Sequence, residues 1–275
     1  MRSISFSKGH GTLNDFVIIE DRSNLEPLSA DDVRFLCDRR AGVGADGVLR
    51  VTRAMTIPDW TGPDLWFMDY RNADGSVAET CGNGLRVFGR YLYERGLVSN
   101  EPVEVGTRAG IRWIEPRAEG AGLSVTMGPV VLSDDPVTIT TPDGSWPAVK
   151  VDVGNPHAVV LLDEDADLEA LDLRTAPTWS PDDAYPHGVN VEFVVPRGRD
   201  AVAMRVFERG SGETKSCGTG TVAAAAAYAH SIGRVDGIFT VTVPGGQVEV
   251  ELALGEAVLS GPAVIVASGR AYLPS

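Results

Sequence analysis

The chain has 275 residues, of which 24 are Lys or Arg and 38 are Asp or Glu, so its formal net charge is −14. This length predicts one large domain or two modest ones, and a hydrophobic content of 43% is ordinary for a globular protein. The negative charge argues against general binding to nucleic acids or to anionic membrane surfaces, and the longest apolar run, residues 222–229, is too short to span a bilayer.

The N-terminal segment MRSISFSKGHG lacks the apolar core of a secretory signal peptide. The three cysteines are too few, and odd in number, for a disulfide scaffold. We therefore expect a protein of the reducing cytoplasm.

Short apolar runs rich in Val and Ile, bounded by Gly, Pro or Asp, predict β-strands along most of the chain. These runs are residues 15–19, 48–51, 66–70, 159–162, 189–195, 203–207, 239–243, 248–252 and 263–267. Helical patterns are fewer. One covers residues 31–39 with Ser29 as its N-cap, a second follows Cys81 and ends at Gly96, and a third covers residues 221–230 and ends at Gly233.

The order of landmarks repeats along the chain. Cys-Gly-x-Gly opens a helix at Cys81 and again at Cys217, an offset of 217 − 81 = 136 residues. Asn14 and Asn155 each precede an apolar run, an offset of 155 − 14 = 141, and residues 44–51 align with residues 187–194, an offset of 143. These similar offsets indicate duplication of an α/β unit. We predict one domain at residues 1–128, joined by a last strand from residues 263–275, and a second at residues 129–262.

A cysteine followed by Gly-x-Gly at a helix start places its thiol beside unpaired backbone N–H groups and the positive end of the helix dipole. Both effects favour the thiolate, so we expect lowered thiol pKa values at Cys81 and Cys217. Two such sites indicate two acid–base groups acting on one carbon, one removing a weakly acidic hydrogen and the other donating a proton to the opposite face. Cys37, in an apolar segment, is expected to be a structural residue.

Two other interpretations start from the same residues. Low-pKa thiols could form a redox switch through a disulfide between Cys81 and Cys217. Residues 42–47 match the dinucleotide fingerprint G-x-G-x-x-G, but a helix end precedes them and a strand follows, the reverse of what that fingerprint needs.

The motifs together resemble the diaminopimelate epimerase family. The resemblance runs from about Lys8 to Gly261 and includes KGHGTLNDF, GVGADG, NADGSVAETCGNG, GNPH, HGVNVE and ERGSGETKSCGTGT. It implies a cofactor-independent, metal-independent epimerase that interconverts LL- and meso-diaminopimelate on the way to lysine and peptidoglycan. It also implies an α/β (α+β) fold of two pseudo-symmetric domains, each a mixed, mostly antiparallel sheet around a central helix, and a homodimer.

The resemblance assigns roles to particular residues. Cys81 and Cys217 would be the acid–base pair, and Glu208 would accept a hydrogen bond from the substrate ammonium. The reacting carboxylate would be held by Gly82, Asn83, Gly218 and Thr219. His157 would lie near the reacting centre, and Asn155 would also bind substrate. The distal centre would be held by Asn14, Asn72, Asn190 and Arg209, although Asn72 lies in an NADG segment that is also typical of a turn.

One position departs from the family pattern. Gly47 stands where many relatives carry Gln, and in the internal repeat it aligns with Asn190. We expect one distal contact to be lost there, with a water or another side chain in its place. A proline or hydroxyproline racemase of the same architecture would use the same two thiols, but it has no need of the distal residues Asn14, Asn72 and Arg209.

Overall fold

The computed structural model describes residues 2–25, 27–117 and 122–274. The chain divides into two compact units: Met1–Val125 with Gly261–Ser275, called unit 1, and Thr126–Ser260, called unit 2. The sequence places the boundary between residues 128 and 129.

The secondary structure is mostly strand. The strands are β1 (Arg2–Gly11), β2 (Asn14–Glu20), β3 (Gly47–Arg53), β4 (Trp66–Asn72), β5 (Val103–Thr107), β6 (Gly110–Pro116), β7 (Gly122–Pro129), β8 (Val131–Thr141), β9 (Gly144–Asp152), β10 (Pro156–Leu161), β11 (Thr178–Ser180), β12 (Asn190–Pro196), β13 (Ala201–Glu208), β14 (Gly212–Thr214), β15 (Gly237–Val243), β16 (Gly246–Ala253), β17 (Glu256–Pro262) and β18 (Val264–Leu273). The α-helices are α1 (Ala30–Cys37), α2 (Gly82–Glu94) and α3 (Gly218–Ser231).

In unit 1, a mixed sheet surrounds helix α2. Strand β1 pairs antiparallel with β2 and with β18, β2 runs parallel to β3, and β3 is antiparallel to β4. Helix α2 packs against strands of this sheet, because Leu85, Phe88 and Leu92 recur at helical spacing and are fully buried. The helix therefore has a fixed position at the centre of the unit.

Unit 2 repeats this plan around α3. Strand β10 runs parallel to β12, β12 is antiparallel to β13, and β13 runs parallel to β15. Helix α3 is buried along most of its length, from Gly218 to Ala229. Its alanines are small enough for strands to pack closely on every side, which explains a run of the best helix former at this position.

The strand registers reproduce the sequence repeat. In the parallel pair of unit 1, Phe16 lies opposite Gly47, and in that of unit 2, His157 lies opposite Asn190. The offsets are 157 − 16 = 141 and 190 − 47 = 143, the values found in the sequence. Equivalent positions in the two units can therefore be compared residue by residue.

The nine strands expected from apolar runs are all present, and the capping box at Ser29 confirms the predicted start of α1. Helix α3 begins at Gly218, three residues before the predicted start at 221, because the glycines after Cys217 are already helical. Strands such as β1, β8 and β9 were not expected, since polar residues interrupt their apolar positions. None of the helices in the described ranges has the length and apolar character needed to cross a membrane.

Candidate active site

In unit 1, Cys81 is the N-cap residue of α2 and is partly exposed. The backbone N–H of Gly84 donates to the Cys81 sulfur at 3.4 Å. The thiol lies 3.8 Å from Oδ1 of Asn14, and this same oxygen accepts a hydrogen bond from Nδ2 of Asn83 at 3.3 Å. The structure thus brings together three of the residues expected at the site.

The orientation of Asn14 is fixed from its other side. Its Nδ2 donates to Asp46 at 2.8 Å, and Arg39 donates to the second oxygen of Asp46 at 2.7 Å. The Asn14 amide therefore presents its oxygen to Cys81 and Asn83.

Asn72 occupies the end of β4 and has the contacts of a turn residue. Its Nδ2 donates to the Ser76 hydroxyl at 3.0 Å, and its backbone carbonyl accepts from Gly75 at 2.9 Å. Its role toward a ligand stays a prediction.

In unit 2, Cys217 is the N-cap residue of α3 and is only 6% exposed. The backbone N–H of Gly220 donates to the sulfur at 3.3 Å, and the Thr219 hydroxyl lies 3.5 Å from it. Burial, then the nearby carboxylates of Glu208 and Glu192, raise the pKa of Cys217 well above its ordinary value. The helix-start argument for a lowered pKa is therefore wrong for Cys217, because desolvation and negative charge outweigh the helix N-terminus.

Glu208 lies beside Cys217 at the end of β13. Burial raises the pKa of its carboxyl group, while hydrogen bonds from Thr214 and Cys217 act in the opposite direction. A carboxylate in this position is suited to accept a hydrogen bond from a cationic ligand group.

Behind these residues lies a fully buried His157–Glu192 pair. His157 Nδ1 is 2.7 Å from Glu192 Oε1, and His157 Nε2 is 3.1 Å from Oδ1 of Asn155. A Cβ atom at Gly220 would lie 2.6 Å from Glu192 Oε1, so a larger residue at 220 would displace the carboxylate. The last glycine of Cys-Gly-x-Gly, Gly220, thus lets the Glu192 carboxylate approach the start of α3.

Asn190 and Arg209 form a neighbouring pair. Oδ1 of Asn190 accepts the backbone N–H of Arg209 at 2.9 Å, and the guanidinium of Arg209 donates to the His187 carbonyl at 3.2 Å. Arg209 is exposed, so its remaining donors are accessible to a ligand.

Gly47 meets close neighbours in β4. A Cβ atom there would lie 2.6 Å from the Arg71 carbonyl oxygen and 2.7 Å from the Tyr70 ring. The position therefore accepts no side chain without a shift of the strand, which explains the glycine.

Sequence reasoning missed two residues that contact the expected site residues, Glu192 and Thr214. Glu192 had a visible signal, because it is a lone charge within the apolar run of β12. Thr214 had none, since only its folded contact with Glu208 reveals it. Among the described residues, no group of three or more His, Cys, Asp and Glu side chains is arranged to hold a metal ion.

The fold is shared with proteins of known structure. It is similar to a PhzF-family phenazine biosynthesis protein of Bacillus anthracis, with a TM-score of 0.70 and 16% identity over 98% of this chain and 99% of that one. It is also similar to a hydroxyproline epimerase of Agrobacterium vitis, with a TM-score of 0.68 and 17% identity over 98% of this chain and 92% of that one. These likenesses show the shared fold.

The sequence then shows the family. The family model for diaminopimelate epimerase matches residues 6–133 and 149–271. Diaminopimelate epimerase of Streptomyces coelicolor is 49% identical, covering 97% of this chain and 95% of its own length. That of Thermobifida fusca is 49% identical over 98% of both chains, and that of Corynebacterium glutamicum 46% over 98% and 99%. The chain belongs to the diaminopimelate epimerase family.

Proposed function

We propose that this chain is a diaminopimelate epimerase, an isomerase that inverts one α-carbon and interconverts LL- and meso-2,6-diaminopimelate without a cofactor. The observation that carries the proposal is the family match across nearly the whole chain, including both Cys-Gly-x-Gly helix starts. Lysine and peptidoglycan synthesis would consume the product. Location in the cytoplasm and assembly as a homodimer remain expectations of the sequence.

In the proposed reaction, Cys81 and Cys217 are the two acid–base groups. The thiolate of one takes the α-hydrogen as a proton, and the electron pair of the broken C–H bond stays on the carbon and spreads into the α-carboxylate. The thiol of the other gives its proton to the opposite face, forming the new C–H bond and leaving a thiolate. The two sulfurs thus exchange protonation states in each turnover.

The first turns of α2 and α3 support this role. The backbone N–H groups of Gly82, Asn83, Gly218 and Thr219 lie at helix N-termini, which favour a carboxylate and stabilise its growing negative charge. The Glu208 carboxylate beside Cys217 would accept a hydrogen bond from the α-ammonium group, and His157 and Asn155 would support this side of the site.

For the distal end of the substrate, we propose Asn14, Asn72, Asn190 and Arg209. The exposed guanidinium of Arg209, fixed next to Asn190, supports binding of a second carboxylate, since this group matches a carboxylate in a bidentate manner. A cyclic imino acid has no such second group.

The test is incubation of the purified protein with LL-diaminopimelate in deuterated water. We expect meso-diaminopimelate with one deuterium at the inverted carbon, with the Cys81→Ala variant as the inactive control. A panel containing L-proline and trans-4-hydroxy-L-proline separates the racemase alternative. Turnover of those compounds, or absence of meso product, would refute the proposal.

A further inference from the structure

Arg86 lies inside unit 1, five residues after Cys81 on α2, and is fully buried. Its Nη2 donates to Oδ1 of Asn83 at 2.6 Å and to the Thr12 hydroxyl at 3.2 Å. Asn83 in turn donates to Asn14, whose oxygen also faces the Cys81 thiol. A continuous set of hydrogen bonds thus connects Arg86 to the proposed carboxylate-binding and acid–base residues.

The surroundings of Arg86 are unfavourable for an isolated cation. Its Nε and Nη1 atoms are buried without a hydrogen-bond partner, and within the described ranges no carboxylate forms an ion pair with it. It also lies near the N-terminus of α2, where the helix dipole disfavours positive charge. Burial lowers the pKa of Arg86 to about 10, and the only charge opposing this effect in the described part of the chain is that of Cys81. A buried cation with these properties needs an anion close by.

The charged groups on β1, β2 and β3, which pack near the start of α2, have partners of their own. On β1 and β2, Lys8 and Asp15 form an ion pair of 2.8 Å, and Arg39 holds both Asp15 and Asp46. His10 accepts from the Leu13 backbone, Glu20 accepts from Tyr91 farther along the helix, and Arg50 on β3 pairs with Asp69. Among the described groups, the Cys81 sulfur is the one whose negative charge acts on Arg86.

We propose that Arg86 is a positioning residue of the active site, which fixes the Asn83 side chain and stabilises the Cys81 thiolate once the thiol has given up its proton. The inference rests on the proposed function for its catalytic meaning. Unit 2 supports it by contrast, because the position five residues after Cys217 is the buried, apolar Val222. Arg86 therefore distinguishes the first cysteine from the second.

The experiment measures the thiol of Cys81 directly, without substrate. In a Cys217→Ala background, alkylation by iodoacetamide is followed from pH 5 to pH 10, and modified Cys81 is quantified by mass spectrometry of its peptide. Three variants are compared: Arg86→Gln, which keeps a donor toward Asn83 but has no charge; Arg86→Lys, which keeps the charge; and Arg90→Met. Arg90 is the matched control, an arginine on the next turn that donates to the Ala263 carbonyl.

We expect Arg86→Gln to raise the alkylation midpoint by about one pH unit, which is about a tenfold slower reaction at pH 7. Arg86→Lys should restore most of the shift, and Arg90→Met should leave the midpoint unchanged. Circular dichroism verifies folding, and Arg86→Met replaces Arg86→Gln if the latter does not fold.

An unchanged midpoint in the folded neutral variant would overturn the proposal, as would equal shifts in the Gln and Lys variants. The midpoint does not depend on turnover. If the deuterium experiment fails while the midpoint shifts, the proposed function is wrong and the effect of Arg86 on Cys81 stands.

Discussion

The two cysteine sites share a backbone plan, a cysteine N-cap followed by Gly-x-Gly, and differ in the charged residues around the sulfur. At equivalent positions, unit 1 has Phe16, Leu49, Asn72 and Arg86 where unit 2 has His157, Glu192, Glu208 and Val222. In unit 1, Leu49 lies against the third residue of the Cys-Gly-x-Gly turn after Cys81, namely Gly84. In unit 2, Glu192 lies against Gly220 in the same way.

The comparison teaches that two copies of one scaffold can place the same chemical group, a cysteine thiol, in environments that favour different protonation states. Cys81 is near a buried guanidinium, whereas Cys217 is near two carboxylates that raise its pKa. A two-base reaction needs one thiolate and one thiol at a time, so such a difference would set the resting state of the pair.

The largest expected effect comes from removing either sulfur. Cys81→Ala and Cys217→Ala should each lower epimerisation by about 10³-fold or more, because each removes a proton-transfer group. Cys→Ser variants should keep weak activity at most, since a hydroxyl is a much weaker acid. Formation of deuterated meso-diaminopimelate from the LL isomer measures both. Turnover at the parent rate in either Ala variant would end the two-base account.

The next effect concerns Glu208, whose equivalent in unit 1 is the neutral Asn72. Glu208→Gln should lower kcat/KM by about 10²-fold, because the substrate ammonium loses its charged acceptor. Steady-state kinetics measure this loss. Glu213→Gln is the matched control, since Glu213 lies on the neighbouring strand and pairs with Arg205 at 2.7 Å. Equal losses in both variants would contradict the assignment.

The unit 1 residue equivalent to Arg209 is the small Ala73, so only unit 2 has a guanidinium at this position. Replacing Arg209 therefore tests where the distal carboxylate binds. Arg209→Ala should raise KM by roughly thirtyfold with little change in kcat, because a charge-assisted contact of about 2 kcal/mol is lost in ground state and transition state alike. Arg197→Ala, an exposed arginine bonded to the Glu164 carbonyl, serves as control. Unchanged affinity after Arg209→Ala would favour a substrate without a second carboxylate.

A smaller effect should appear in the titration of Cys217. The Glu192 charge raises its pKa, so Glu192→Gln should lower that pKa by about one unit, and the thiolate should form at lower pH. Alkylation of Cys217 in a Cys81→Ala background should then be faster at pH 7. A midpoint that stays constant or rises would show that the Glu192 charge does not contribute and that burial and Glu208 set the titration.

The smallest effect is expected at the third cysteine. Cys37 is buried, and burial, then nearby Asp46 and Asp15, raise its pKa to about 12, so it stays an unreactive thiol. Cys37→Ala should leave turnover unchanged and cost about 1 kcal/mol in the free energy of unfolding, measured by urea denaturation. Loss of turnover in a folded variant would mean that a third thiol, that of Cys37, also contributes to the reaction.

The sequence predicted what depends on local pattern. Apolar runs such as residues 189–195 indicated buried strands, and the Cys-Gly-x-Gly segments indicated two helix starts. Glu192 is visible in the sequence as a lone charge in an apolar run, but which thiol Glu192 and Arg86 act on was not predictable, because those contacts exist only after folding. A local argument from the helix dipole therefore gave the wrong direction for Cys217, where burial dominates.

The pairing of β1 with β18 places Arg2 opposite Leu273. Unit 1 is thus built from both ends of the sequence, and unit 2 is inserted between them. During synthesis, the ribosome releases all of unit 2 before the strand that completes unit 1, so the second half can fold while the first still has an open sheet edge. Joining residues 2 and 273 by a short linker, with new ends in an exposed turn of unit 2, would reverse that order.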